Sequence, residues 1–328
     1  MSQERLNELT RAEWLKYSVS IWYDIKWEKE EKTLKEKHPA IFPLDVPKRL
    51  IKTFTHKLEW VLDPFVGTGT TLVACKVLGR NGIGIDISPE YIEIAKERIA
   101  KQVSVSPSPT RQIVICDDSR NLLNHVEKES IDFVITSPPY WKIQRQEKTF
   151  LKKEATPYTA FKEDLGNIED YWEFLKTLTD IFSKVYEALK PNKFLVVDLM
   201  DVRIGDIFYP MHVDFYEKMK EVGFVLWDLI IWDRHKEYNN LSAMIYPYKF
   251  YVNKVHEYLL IFHKPEKQKK AVEPVFQPAT LPKEKPRNVP PTRKEAPFSL
   301  SQCIGCTYKA SSYCWKNCPY NIWKKQTW

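Results

Sequence analysis

The chain predicts an α/β fold, a mostly parallel sheet with helices on both faces, and three observations predict it. Short apolar runs such as Trp60-Val61-Leu62 and Ile131-Asp132-Phe133-Val134-Ile135 alternate with segments of helical periodicity. The first run opens directly into a glycine-bearing turn, Asp63-Pro64-Phe65-Val66-Gly67-Thr68-Gly69-Thr70-Thr71. The run at 131–135 ends in Thr136-Ser137-Pro138-Pro139-Tyr140, a polar and proline-rich turn at the strand end, where α/β folds gather their ligands.

Residues 1–35 read as a helical extension, with Trp22, Tyr23 and Trp27 followed by a charge run from Lys26 to Lys32 that suits a solvated helical face. The first strand, near Val61, feeds the glycine turn. There Gly67 and Gly69 allow close backbone approach, and a helix from about Thr70 to Leu78, ended by Gly79, offers its N-terminus to a polar ligand. The second strand, Gly82-Ile83-Gly84-Ile85-Asp86, ends in a carboxylate about 20 residues beyond the turn, the distance at which an acidic side chain meets ribose hydroxyls. Ile87 is then placed to pack on a nucleobase. Five of the nine glycines fall between Gly67 and Gly84, so this scarce residue is concentrated at one site.

Ser88-Pro89-Glu90 forms a helix start before Tyr91, Ile92, Ala95 and Ile99. A third strand spans Gln112 to Cys116, and the fourth centres on Val134. A long helix from about Ile168 to Leu189 carries Trp172, Leu175, Leu178, Phe182, Tyr186 and Leu189 at core spacing. Strands near Leu195, Ile230 and Leu260 bring the count to seven, the last two as an antiparallel edge. Asp198 and Asp201 end the fifth strand, facing the site or capping a loop. Cys75 and Cys116 read as buried thiols. The stretches 141–166 and 234–254 lack periodicity and follow strands four and six. They offer Trp141, Lys142, Arg145 and His235 as substrate contacts.

In the clamp, two prolines fix φ and remove two backbone donors, which leaves carbonyls and the Ser137 hydroxyl to accept from an NH2 group while Tyr140 stacks on a ring. Taken alone this is also compatible with a plain Pro-Pro turn. Together with the glycine turn it resembles motifs IV and I of the amino-group nucleic-acid methyltransferases, which use S-adenosylmethionine to methylate cytosine N4 or adenine N6. The resemblance covers most of residues 36–264 and implies the Rossmann-like seven-stranded class I methyltransferase sheet. His38-Pro39-Ala40-Ile41-Phe42-Pro43 is similar to motif X, which implies that Phe42 lies against the cofactor. Asp118-Ser119-Arg120 is similar to motif III, which implies that Asp118 reaches the cofactor's adenine. The cofactor set implied is Phe42, Asp63, Pro64, Phe65, Gly67, Gly69, Thr70, Asp86, Ile87 and Asp118. The catalytic set is Ser137, Pro138, Pro139 and Tyr140. Ser before Pro-Pro resembles the cytosine N4 enzymes more than the adenine N6 ones. Neither Cys75 nor Cys116 follows a proline at a strand end, against cytosine C5 chemistry.

The cofactor motif precedes the catalytic motif, the reverse of the usual β-class order, and only a short connection separates Asp118 from Ser137. No recognition domain is inserted there, so the two loops and the C-terminal tail are left to read substrate. From Lys264 to Trp328 the chain holds 13 Lys or Arg against 4 Asp or Glu, and nine of its 22 prolines. Residues 265–300 thus read as a basic Pro-rich linker, suited to tracking phosphates or merely solubilising. Cys303-x2-Cys306-x7-Cys314-x3-Cys318 closes the chain as a four-cysteine module over 301–328. So short a segment cannot bury a core unaided, and a metal would supply the missing folding energy. Four thiolates suit Zn2+, with an iron-sulfur cluster as the main rival and disulfides as a third reading. No run of 18 apolar residues and no basic-apolar leader occurs, so a cytoplasmic location is expected, without a membrane partner.

The function expected is methylation of the exocyclic N4 amine of cytosine in nucleic acid, with the base extruded into the pocket. DNA is the first substrate, and structured RNA such as ribosomal RNA the alternative. Adenine N6 methylation and a catalytically idle nucleic-acid-binding protein are further readings.

Overall fold

The computed structural model describes residues 5–37, 41–104, 108–141, 164–237 and 247–266. The chain divides into two compact units, Met1–Lys269 and Lys270–Trp328, and every described residue belongs to the first. The linker beyond Glu266, the module with Cys303, Cys306, Cys314 and Cys318, and the candidates Lys142 and Arg145 lie outside the described residues.

Strands are β1 (Ile21–Trp22), β2 (Trp60–Asp63), β3 (Asn81–Asp86), β4 (Gln112–Cys116), β5 (Ile131–Thr136), β6 (Leu189–Leu199), β7 (Val202–Ile204), β8 (Ile207–Tyr209), β9 (Val225–Asp233) and β10 (His256–His263). Helices are α1 (Arg11–Tyr17), α2 (Lys29–Lys37), α3 (Asp45–Phe54), α4 (Thr70–Leu78), α5 (Pro89–Ala100), α6 (Tyr171–Ala188) and α7 (Met211–Val222). The main sheet runs β1-β9-β10-β6-β5-β2-β3-β4, and β7 pairs only with β8 as a separate hairpin.

All seven expected strand positions fall in this sheet, but it has eight strands. The eighth is β1, inside the stretch expected to be a helical extension, paired in parallel with Ile231 and Trp232 of β9. Its Trp22 is 1% exposed and donates its indole N–H to the Tyr17 carbonyl at 3.2 Å. The Arg49 guanidinium lies 5.2 Å from the Trp22 ring and pairs with Asp24 and Asp45 at 2.8 Å each. A two-residue strand leaves no periodicity in sequence, since its pairing is with residues 210 positions away. The antiparallel edge is also narrower than expected. β10 opposes both neighbours, whereas β9 runs parallel to β1.

Side chains alternate between the two faces of the sheet, as the pleat requires. Leu62, Val134, Leu195, Val197, Leu260 and Phe262 pack with α6 and α7. Their chain neighbours Val61, Phe133, Ile135, Val196, Leu259 and Ile261 pack with α3, α4 and α5. Both faces are therefore covered, which explains why the central strands are continuous apolar runs.

Two expected burials are corrected. Trp172 is 59% exposed, because α6 starts at Tyr171 under an Asp170 cap and turns Tyr171, not Trp172, into the core. Leu175, Leu178, Phe182 and Leu189 are buried as expected, and the stripe also takes in Tyr171, Phe174 and Ile181. Cys116 is exposed at the end of the edge strand β4, whereas Cys75 is buried as expected.

Candidate active site

The strand order reverses between β2 and β5, and this switch point sets the chemistry side by side. Val61 and Leu62 of β2 pair with Phe133 and Val134 of β5, so Asp63 and Thr136 end neighbouring strands. The Asp63 carboxylate joins them. It accepts from Thr136 Oγ1 at 2.6 Å, from Thr71 Oγ1 at the start of α4 at 2.6 Å, and from the Phe65 amide at 3.0 Å. At 1% exposure it has no access to a ligand, so it fastens the glycine turn to the residue before Ser137. Burial pushes its pKa up to about 6.

The two turn glycines serve different ends. Gly67 has φ +49°, and a side chain there would meet nothing within 4 Å, which leaves an opening at the turn. Gly69 has φ +85°, and a Cβ there would stand 2.7 Å from the Ala95 Cβ, so its missing side chain lets α4 start against α5. Arg98 of α5 grips the same turn, donating to the Thr68 carbonyl at 2.7 Å and to Thr70 Oγ1 at 2.9 Å.

Asp86 ends β3 and accepts the Gly67 amide on one oxygen and the Ser88 amide on the other, both at 2.9 Å. Each oxygen keeps a lone pair. Burial raises its pKa to about 6. Ile87, Phe65 and Phe42 are half-buried, Phe42 against the α3–α5 side of the core. Pro64 is buried, and its carbonyl accepts from the Ser119 hydroxyl. Asp118 spends its carboxylate on Arg120, accepting from its amide at 2.8 Å and from its guanidinium at 2.5–3.0 Å.

The clamp leaves β5 with Pro138 buried and Ser137 and Pro139 half-buried. Ser137 Oγ and the Tyr140 hydroxyl are hydrogen-bonded at 2.9 Å. A hydroxyl so paired still has acceptor capacity for an N–H. Trp141, expected as a substrate contact, is instead 4% exposed. Its φ is +44°, a left-handed value costly for a bulky residue. Its indole donates to the Ile168 carbonyl at 3.1 Å, and its ring packs on Tyr171 at 5.1 Å and Tyr209 at 4.9 Å. This aromatic box backs the clamp. His235 is exposed in the turn after β9.

Asp198, at the end of β6, is 4% exposed. Burial, then the Glu257 carboxylate, holds its pKa well above the ordinary range, and Tyr140 is among its neighbours. Asp201 accepts from His212 Nδ1 at 2.6 Å, the loop-capping alternative. Arg98, Tyr171 and Tyr209 lie in no motif, and Thr71, Ser119 and Thr136 lie within motifs whose sequence does not show their bonding roles. Among the described residues no cluster of three or more His, Cys, Asp or Glu could hold a metal ion. No helix among them is long and apolar enough to cross a membrane.

Comparison with known proteins gives this geometry a context. The Type II methyltransferase M.HpaI of Haemophilus parainfluenzae is 34% identical over 134 residues, 36% of this chain and 43% of that protein. M.MthZI of Methanothermobacter thermautotrophicus is 28% identical over 160 residues, 42% of this chain and 43% of that protein. The chain thus spans less than half the length of these relatives. Among solved structures, the TTHA0409 protein of Thermus thermophilus in complex with S-adenosyl-L-methionine shares 27% identity, covering 48% of this chain and 57% of that one at a TM-score of 0.34. The profile of a DNA methylase family, N6_N4_Mtase, matches residues 2–97 and 131–327, which takes in both the glycine turn and the clamp. On that match the chain belongs to the N6_N4_Mtase family of DNA methylases, a family of amino-methyltransferases.

Proposed function

We propose that this protein transfers a methyl group from S-adenosylmethionine to the exocyclic N4 amine of cytosine in nucleic acid, with DNA as its substrate. The observation that carries the reading is the Asp63 bridge, which ties a nucleoside-accepting turn to an amine-accepting clamp through two 2.6 Å hydrogen bonds. The turn fits the cofactor by its donor set. Gly67 leaves an opening, and Asp86 keeps one lone pair on each oxygen for a pair of ribose hydroxyls. S-adenosylmethionine, when bound, would supply an electrophilic methyl group, its carbon–sulfur bond breaking to leave a neutral thioether while the methylated nitrogen gives up one proton to solvent.

The protein's own part is to hold and orient. Ser137 Oγ and the Pro138 carbonyl accept the two amine hydrogens, which turns the nitrogen lone pair out of conjugation and toward the methyl group. The hydrogen bond to Ser137 fixes the Tyr140 ring as the stacking surface for the base. Phe42, Phe65 and Ile87 line the apolar side of the cofactor, Pro64, Gly69 and Thr70 shape its turn, and Asp118 faces its adenine in competition with Arg120. Ser rather than Asp before Pro-Pro supports cytosine N4 over adenine N6. Nucleoside mass spectrometry of DNA and RNA from cells with and without the gene tests this. Loss of N4-methylcytosine from DNA is expected, and loss of N6-methyladenine instead would overturn the assignment.

A structured RNA is the second reading, favoured by the basic, proline-rich stretch beyond residue 264. It predicts loss of an N4-methylated cytidine from RNA alone. For Cys303, Cys306, Cys314 and Cys318, the four-thiolate spacing supports one structural Zn2+. Elemental analysis of the purified protein should return about one zinc per chain, and iron with a visible absorption band would replace it with an iron-sulfur cluster.

A further inference from the structure

A surface beside the clamp displays aromatic side chains that no packing among the described residues accounts for. The β7–β8 hairpin begins three residues after β6 ends, and residues 247–254 enter β10, which runs antiparallel. Both lie at the carboxyl edge of the sheet, the edge from which Ser137 leaves β5. The hairpin also touches the clamp's support, since Tyr209 packs on Trp141 at 4.9 Å.

Residues 247–254 are fastened to the hairpin through Lys249, Tyr251 and Lys254. Lys249 and the Tyr251 hydroxyl both bond to Asp206, and Arg203 lies 4.7 Å from the Tyr251 ring and 5.4 Å from Phe208. Lys254 Nζ lies 4.4 Å from the Phe208 ring. The alternate residues point away. Tyr248 is 85% exposed, Phe250 92% and Val252 62%, alongside Ile207 at 59% and Phe208 at 39%. A row of large apolar side chains in water is costly, and rows of this kind mark interaction surfaces. Here the row is interleaved with Arg203, Lys249 and Lys254, with Lys249 paired to Asp206. Flat rings among cations are the chemistry that receives nucleobases with their phosphates.

We infer that Tyr248 and Phe250, braced by the β7–β8 hairpin, form a stacking platform for unpaired nucleotides flanking the extruded base, with Lys254 placed for an adjoining phosphate while Lys249 stays paired with Asp206. The inference rests on the reading of this chain as acting on nucleic acid and adds the surface that holds the strand next to the clamp. Extruding a base leaves a gap in the stack, and rings at the rim of the pocket offset that loss.

The test is anisotropy of a fluorescent single-stranded oligonucleotide containing one cytosine, titrated with full-length protein, wild type and Tyr248→Ala/Phe250→Ala. Both residues are too exposed for the change to threaten the fold, and an unchanged S-adenosylmethionine affinity checks this. The double variant should bind about tenfold or more weakly with an unaltered salt slope, because stacking is lost and phosphate contacts are kept. Tyr248→Trp/Phe250→Trp should restore binding. Unchanged oligonucleotide affinity overturns the platform. So does a double variant that binds normally but sediments at a lower mass than wild type, which would make the row a self-association face. Methyl incorporation is scored separately, so an oligonucleotide bound through the platform but never methylated would sink the proposed reaction and leave the platform standing.

Discussion

Ser137 and Tyr140 hold each other by one hydrogen bond at 2.9 Å, so each supports the other's placement as well as meeting the base. Ser137→Ala should lower kcat by roughly a hundredfold, the scale of losing one positioned hydrogen-bonding group. Tyr140→Phe should lose less, since the stacking face survives. Cofactor affinity by calorimetry should stay near wild type in both, and a matching drop there would place these residues at the cofactor instead. Asp86 gives the pH dependence. With its pKa raised by burial to about 6, it is an ionised acceptor for ribose hydroxyls only above that value. S-adenosylmethionine binding should therefore tighten as pH rises through about 6 and then level off. Asp86→Asn should bind weakly with no such inflection, and an inflection that persists in this variant would assign it to another group. Asp63, also raised to about 6, is a statement about stability. Its folded pKa lies above the unfolded value, so the folded state holds the extra proton between about pH 4 and 6. Stability should fall as pH rises through that window, and Asp63→Asn should flatten the fall while costing about 1–3 kcal/mol for the disturbed hydrogen bonds. Urea unfolding at pH 4, 5, 6 and 7 measures both effects.

Helix α4 starts where it does because Gly69 combines a left-handed backbone with contact against Ala95 of α5. Gly69→Ala would force a Cβ to within 2.7 Å of the Ala95 Cβ and strain φ as well. It should destabilise the protein by about 2–4 kcal/mol and misplace Thr70 and Thr71. Gly67→Ala meets open space and should cost only its backbone strain, about 1 kcal/mol. Comparison of the two melting curves decides whether the turn is shaped by packing, and equal losses would count against it. The clamp is braced in a similar way by α6 and the β7–β8 hairpin, through Tyr171 and Tyr209 around Trp141. The left-handed backbone at Trp141 persists because this box and the bond to Ile168 hold it. Trp141→Ala should thus reduce turnover with little change in cofactor affinity. Wild-type kcat in this variant would show that the clamp needs no brace.

At the scale of the molecule, β1 makes the N-terminal segment part of the main sheet. Trp22 fills the core beside β9 and sits under Arg49, so Trp22→Ala should cost about 3–5 kcal/mol. A loss under 1 kcal/mol in urea unfolding would mean that β1 is a dispensable addition. The sequence by itself determined the alternation of strands and helices, the boundaries of α4 and its Gly79 stop, the Ser88 cap and the two motifs that lie on strand ends. These are local features, because a cap, a glycine turn or an apolar run is set by residues within a few positions of one another. It did not determine β1, the burial of Tyr171 and exposure of Trp172 at the start of α6, or the exposure of Cys116 on an edge strand. Nor did it show that Asp63 is a fastener, for that role depends on Thr136, 73 residues away in the chain. Hydrogen bonds and ring contacts between distant segments have no period and no spacing. They become visible only when the sheet has ordered its strands and brought the ends of β2, β3 and β5 to one edge.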